Sequence, residues 1–242
     1  MKPLAVYSSK VYISKNSDLI MNRHTADKIK LTVSEARLIA HICGDGSIGC
    51  YKRKRSPADL KNHKRRNPYV NVCYMSYCNN EKDLLDIFVK DVKEVYGLKA
   101  YYKNNNSVQF TGKWVYKRLR RFGAGQSFDW FISKEIMYAK KEIIKEWLKA
   151  FFDDESYVEL SKLRITLNSV NLSGLKQVQE LLKKFKIQFT TLHRPYFTRG
   201  FPIYRLSILK EDVERYFVYV GFNHQKKIRD LTELLELRAL TF

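Results

Sequence analysis

No apolar run in the chain approaches the ~18 residues that a membrane-crossing helix needs. The opening stretch, MKPLAVYSSKVYISKNSDL, is too polar and too broken for the apolar segment of a secretory signal. A protein inside the cell is expected, in the cytoplasm or an organelle. Cysteine is sparse: Cys43, Cys50, Cys73 and Cys78 include no CxxC pair, which argues against a zinc site and for reduced cysteines in core or strand positions. Acidic residues are in deficit, with 25 Asp and Glu against 45 Lys and Arg, so the formal net charge is +20. So large an excess repels itself unless it faces a polyanion, and nucleic acid is the default partner.

What the chain does have is a repeat. The segment LIAHICGDGSI, residues 38–48, returns in altered form as LKAFFDDESYV, residues 148–158. Leu38 matches Leu148, Ala40 matches Ala150, Ile42 matches Phe152, Asp45 matches Glu155 and Ile48 matches Val158. A repeat of this length suits two copies of one small unit. With 242 residues, 45% of them hydrophobic, each copy can bury a core.

The coarse reading divides the chain into an extension, residues 1–30, a first unit, residues 31–135, and a second, residues 136–242. In Thr32-Val33-Ser34-Glu35 the Thr32 hydroxyl and the Glu35 carboxylate have capping-box spacing at the start of a helix that runs to about Gly44. Ala36, Ala40 and Gly44 fall four apart on it and form a ridge of small side chains. With Ala150 at the matching point of the second copy, that ridge predicts a closely packed helix pair. Strands are expected around YKRKRSPADLKNHKRRNPY, then a helix from Glu81 to Tyr96, a hairpin around residues 104–106 and a short basic helix. The second copy predicts a helix from Lys140 to Asp153, a strand at Leu163–Leu167 and a helix at Ser173–Phe185. A hairpin of Gln188–Leu192 and Ile203–Ile208 and two final helices complete it. Helix, two strands, helix, two strands, helix in each copy gives an α+β fold.

Asp45 and Glu155 each fall at the C-terminal end of their helix, where the macrodipole is already negative and a carboxylate costs stability. Positive charge should be near. If the helices pack through Ala40 and Ala150, their C-termini meet and the two carboxylates converge, which suits a divalent ion held by oxygen ligands, Mg²⁺ above all. A lone acid at a helix end is ordinarily just solvated; repetition at matched positions tips the reading towards a site.

LIAHICGDG and LKAFFDDES resemble the two motifs of a LAGLIDADG homing endonuclease of the single-chain, two-motif kind. The resemblance implies two pseudo-symmetric αββαββα units, paired LAGLIDADG helices at their interface, and saddle-shaped antiparallel sheets lying in the major groove of a long, near-asymmetric double-stranded DNA site. It implies a monomeric, metal-dependent, intron-encoded enzyme that hydrolyses both strands. The metal-binding acids fall on Asp45 and Glu155, with their neighbours Gly44 and Asp154 in the candidate metal set. A basic auxiliary residue near each scissile phosphate falls on Lys227 in the second copy, and on Gln126, not a lysine, in the first. Asp154, where a small residue often stands, and Ser156, in place of a final Gly, depart from the pattern. Candidate DNA contacts are Lys52, Arg53, Lys54, Arg55, Lys64, Arg65 and Arg66 in the first copy. Arg164, Arg194, Arg199 and Arg205 are their counterparts in the second. Most would neutralise phosphates and fewer would read bases. Two rival readings share the fold: a maturase that binds intron RNA, and a nuclease-inactive DNA-binding protein, which retention of both acids disfavours. Intein membership is not expected, since residue 1 is not a nucleophile and the chain does not end in His-Asn.

Overall fold

The computed structural model describes residues 30–57, 60, 67–190, 192, 195–198 and 200–239. Its first half runs α1 (Val33–Cys43), β1 (Gly46–Lys54), β2 (Tyr69–Cys78), α2 (Lys82–Tyr96), β3 (Tyr101–Asn104), β4 (Ser107–Thr111) and α3 (Lys113–Arg121). A short helix, α4 (Lys134–Met137), leads into the second half. There follow α5 (Lys141–Glu155), β5 (Ser156–Glu159), β6 (Arg164–Ser169), α6 (Leu172–Lys183), β7 (Tyr196–Thr198), β8 (Phe201–Ile208), α7 (Val213–Tyr219) and α8 (Gln225–Ala239). The strands form two antiparallel sheets of the same order, β1-β2-β4-β3 and β5-β6-β8-β7. This is the α+β, pseudo-symmetric αββαββα pair that the repeat implied.

Helix α1 is buried almost all round, from Ser34 to Cys43 with only Arg37 partly exposed, as a helix between two layers must be. Ala36, Ala40 and Ala150 are all fully buried where α1 and α5 pack together. At the C-terminal ends the approach is closest, since a Cβ added to Gly44 would sit 2.6 Å from the Cβ of Asp154. Arg37 ties the pair outside, donating to Glu146 of α5 at 2.5 Å and to both oxygens of Asp91 on α2. Helix α2 shows ordinary amphipathic spacing, with Leu84, Leu85, Phe88, Val92 and Tyr96 buried. It stops at Gly97, whose φ of 64° is left-handed and whose N–H bonds to the Lys93 carbonyl. Each fully buried large apolar side chain contributes about 1.5–3 kcal/mol.

Several expectations are corrected. The Thr32 hydroxyl does accept from the Glu35 N–H at 3.1 Å, but the Glu35 carboxylate does not reach back to the helix start. It is fully buried, taking a bond from the Arg118 Nη2 at 2.7 Å and one from the Tyr96 hydroxyl at 2.9 Å. The cysteines are not all reduced. Antiparallel register sets Cys50 directly opposite Cys73 with Cα atoms 4.1 Å apart, and the pair is a disulfide; Cys43 and Cys78 are free. In the second half, residues 156–159 begin the sheet as a strand of their own, and Tyr196–Thr198, not Gln188–Leu192, pairs with β8. Segment 188–190 instead meets the far end of β8 through a Thr190 N–H to Ser207 carbonyl bond of 2.8 Å. Among the described residues no helix is long and apolar enough to cross a membrane.

Removing the acid from the Glu35–Arg118–Tyr96 cluster leaves a buried guanidinium uncompensated. Glu35→Ala should therefore lower the stability by about 3–5 kcal/mol, read as a shift in the urea midpoint at constant slope; a loss under about 1 kcal/mol would show that water or another acid replaces it.

Candidate active site at the shared helix ends

Helices α1 and α5 end side by side, and the chain turns at once into the first strand of each sheet at Gly46 and Ser156. Asp45 and Glu155 stand at those two turns. Asp45 is further held by its own carbonyl, which accepts from the Cys78 N–H at 3.2 Å. It opens onto a cleft of about 530 Å³ that Asn79, Glu81, His224, Lys226 and Lys227 help to line. Glu155 opens onto a smaller one of about 180 Å³, with Ser127, Trp130, Asn168 and Ser169. Each acid thus faces a cleft completed by the other half's terminal segment, as a pseudo-twofold arrangement requires.

The two carboxylates are strongly perturbed. Burial, then the charge of Asp154, push Asp45 up to about 7; burial, then Asp45 and Asp154, push Glu155 up to about 8. The nearest relief is Lys227 on α8, lowered from its usual range by burial despite the four acids around it. Its Nζ donates to the carbonyls of Phe152, at 3.0 Å, and Asp153 at the end of α5. A cation thus caps the negative end of that helix, as the macrodipole demanded.

The remaining acids of the second motif point elsewhere. Asp153 is 1% exposed and accepts from the Asn223 and His224 N–H groups at 2.9 and 3.0 Å, fixing the segment that leads into α8. The Asp154 side chain is fully buried. It accepts from the Tyr77 hydroxyl at 2.6 Å and lies 2.9 Å from His41 Nδ1. Burial would lower His41, but Asp154 and its neighbouring acids outweigh that and raise it. With its carboxylate engaged in this way, Asp154 is removed from the expected metal set as a side-chain ligand. Gly44 brings no side-chain donor, and its place is the contact that lets Asp154 in. Gln126 is turned away from Glu155: its Nε2 donates to the Ile48 carbonyl at 3.2 Å.

Asp45 and Glu155 are hard oxygen donors with unbalanced negative charge, a set that fits a divalent cation. Among the described residues no group of three or more His, Cys, Asp or Glu side chains is placed to hold a metal. The carboxylate pair would leave most of such an ion's coordination to water and substrate.

On the sheets, alternation separates the candidate basic residues. Ile48, Cys50, Lys52 and Lys54 share the face of β1 that carries core residues, opposite Met75, Cys73, Asn71 and Tyr69; Arg53 lies on the other face with Tyr51, Tyr74 and Ser76. Arg55 follows the strand, its N–H bonded to the Pro68 carbonyl. In the second sheet Arg164 and Arg205 share the outward face with Thr166 and Asn168. There Arg164 pairs with Glu159 at 2.6 Å, and Arg205 donates to Asn168 at 3.3 Å and stacks over Tyr196. Lys64, Arg65, Arg66, Arg194 and Arg199 lie outside the described residues. The outward faces are thus as much aromatic and amide as basic. Tyr51, Tyr74, Gln109 and Asn168 went unread in the sequence, although the period-2 alternation of YVNVCYMSYC marks Tyr74 and Ser76 as outward.

Residues 142–221 match the family model of the LAGLIDADG-like domain. The fold as a whole is that of single-chain LAGLIDADG proteins. I-DmoI, solved in complex with DNA and Mn, superposes with a TM-score of 0.56 at 16% identity, covering 78% of this chain and 98% of that one. I-SmaMI, solved bound to its uncleaved DNA target with calcium ions, superposes with a TM-score of 0.50 at 12% identity over 88% and 92%. In sequence, 105 residues are 28% identical to a probable translation initiation factor IF-2 of Methanocaldococcus jannaschii, which is 42% of this chain and 9% of that factor. The chain carries a LAGLIDADG-like domain and has the two-motif LAGLIDADG fold.

Because both acids are raised in the folded chain, that state holds more protons than the unfolded one between about pH 4 and pH 8. Their contribution to the stability of the metal-free protein should therefore fall as pH rises through that window. Urea midpoints at pH 5.5 and 8.0 in EDTA check this against the Asp45→Asn/Glu155→Gln double variant, which should show the shallower decline. Millimolar Mg²⁺ should restore stability at pH 8.0 in the parent chain only.

Proposed function

We propose that this protein is a site-specific DNA endonuclease that hydrolyses phosphodiesters in both strands of a long, near-asymmetric site, with Mg²⁺ as the working divalent ion. The observation that carries the reading is the meeting of Asp45 and Glu155 at the shared end of α1 and α5, between two similar antiparallel sheets. I-DmoI, which has the same fold, is a homing endonuclease. It has been solved with its target DNA in the presence of Mg, which supports both partner and ion. The two halves, residues 31–135 and 136–242, supply the symmetry within one chain, so the enzyme acts as a monomer encoded within an intron.

In this reading Asp45 and Glu155 hold the ion. When bound, it polarises the scissile phosphate, lowers the pKa of the attacking water and stabilises the leaving oxygen. Lys227, kept dry and close to four carboxylates, steadies charge that develops on the phosphate in the Asp45 cleft. Ser127 and Asn168 offer only neutral donors to the Glu155 cleft. The outward sheet faces bind the duplex, with Arg53, Arg164 and Arg205 nearest to base edges and Lys52, Lys54 and Arg55 serving phosphates. A net charge of +20 concentrates the protein on DNA before any base is read.

A cognate site selected from a random DNA library makes two outcomes measurable. Parent protein with Mg²⁺ should cut both strands, whereas Asp45→Asn and Glu155→Gln should leave cleavage below detection while still binding; cleavage that survives either change would remove the carboxylate pair from the mechanism. Affinity should fall by about 10³–10⁵ between 50 and 200 mM salt, the response for 6–10 neutralised phosphates, and a flat salt profile would argue against backbone-led binding.

A further inference from the structure

Asp154 is an unlikely tenant for its position. It stands pseudo-symmetric to Gly44, at the tightest point of the helix pair, and brings a full carboxylate into a side-chain environment with no solvent exposure. Burying a charge there requires compensation, and three groups supply it. The Tyr77 hydroxyl donates to Oδ1 at 2.6 Å, His41 Nδ1 lies 2.9 Å from Oδ2, and Asn79 Nδ2 reaches Oδ1 at 3.5 Å. Tyr77 is wedged between Phe88 and His41, with ring centroids 5.0 and 4.5 Å away, so its hydroxyl has little freedom to turn.

Asn79 is the member that leads out of the core. Its backbone N–H bonds to the Asn106 carbonyl at 3.0 Å, and its Oδ1 accepts from the Glu81 N–H at the start of α2 at 2.9 Å. That second bond settles which way the amide faces, so Nδ2 must point back towards the acids. There it lies 3.1 Å from the Tyr77 hydroxyl and 3.4 Å from Oδ2 of Asp45. A rigid chain of contacts therefore runs from the buried Asp154 carboxylate through Tyr77 and Asn79 to the carboxylate of Asp45.

The other half of the molecule has no such chain. The sheet registers pair Gly46 with Tyr77 and Ser156 with Leu167, which makes Leu167 the counterpart of Tyr77 and Ser169 that of Asn79. On the helices, Phe151 replaces His41 and Gly44 replaces Asp154. Every polar member on the Asp45 side is matched by an apolar or small residue on the Glu155 side. Lys227, with no lysine at its counterpart, adds to the same imbalance.

We propose that Asn79 is a positioning residue for Asp45, held in register by the buried Asp154–Tyr77–His41 cluster, and that it makes the two strand-cutting sites unequal. The inference rests on the nuclease reading above. Its consequence is that the strand served by Asp45 is cut from a preset carboxylate, while Glu155 must be ordered by the ion and the substrate.

Asn79→Asp separates positioning from helix capping, because it keeps an acceptor for the Glu81 N–H and replaces the donor that faces Asp45 with a repelling oxygen. Asn79→Ala removes both. With the two strands of the selected site carrying different fluorophores, parent protein should cut one strand ahead of the other. Both variants should change the ratio of the two strand rates by about tenfold or more, the usual reach of an outer residue on a metal site, Asn79→Asp the more strongly. Manganese binding to the protein–DNA complex, followed by electron paramagnetic resonance, should weaken at one class of site by about 10–100-fold in Asn79→Asp. An unchanged strand ratio, or an equal slowing of both strands that tracks a fall in melting temperature, would overturn the proposal and leave the nuclease reading standing. Parent protein that cuts neither strand in Mg²⁺ would overturn both.

Discussion

The structure depends on how closely two helices approach at their C-terminal ends. Because Gly44 has no Cβ, the backbone of α1 can meet the Asp154 side chain at a distance no other residue would allow. That contact sets where both chains leave their helices, and hence where Asp45 and Glu155 stand. The approach brings together two negative helix ends and several carboxylates, an arrangement that costs stability unless cations and donors answer it. Lys227, His41, Tyr77 and Asn79 are those answers, and none of them lies on the ridge of small residues that permits the approach.

The compensation is not shared equally. Around Asp45 the protein itself supplies a lysine, an amide and a buried acid–phenol–imidazole cluster. Around Glu155 it supplies serines, an asparagine and the edge of Trp130. A symmetric fold thus holds two chemically different sites, the expected result when one chain rather than two identical ones carries both halves. The sheets show the same divergence. Arg164 and Arg205 are braced by Glu159, Asn168 and Tyr196, whereas the outward face of the first sheet carries Tyr51, Tyr74 and Ser76 beside Arg53.

Much of the site was legible from spacing. Asp45 and Glu155 were found because they recur at matched points of a repeated apolar pattern, and Lys227 because it follows GFNH at the head of a helix. What could not be read were partners chosen by through-space register. Glu35 has capping-box spacing, yet its carboxylate prefers a buried guanidinium that lies 83 residues further on. Cys50 and Cys73 show no motif, and only their position opposite one another in β1 and β2 joins them. Asp154 read as a disturbance of its motif because its three stabilising groups come from α1 and from the end of β2 and the turn after it.

By itself the sequence determined the repeat, the order of helices and strands, the two acids at helix ends and a basic surface in search of a polyanion. These follow from local periodicity and composition, which each segment carries wherever it ends up. Only the tertiary structure decided which acid of Asp153-Asp154-Glu155 faces the cleft, which face of β1 holds Arg53, and that the two sites differ. Those outcomes depend on distances between residues far apart in the chain, and in a packed interior a shift of one residue in register or a single added methyl group changes the partner.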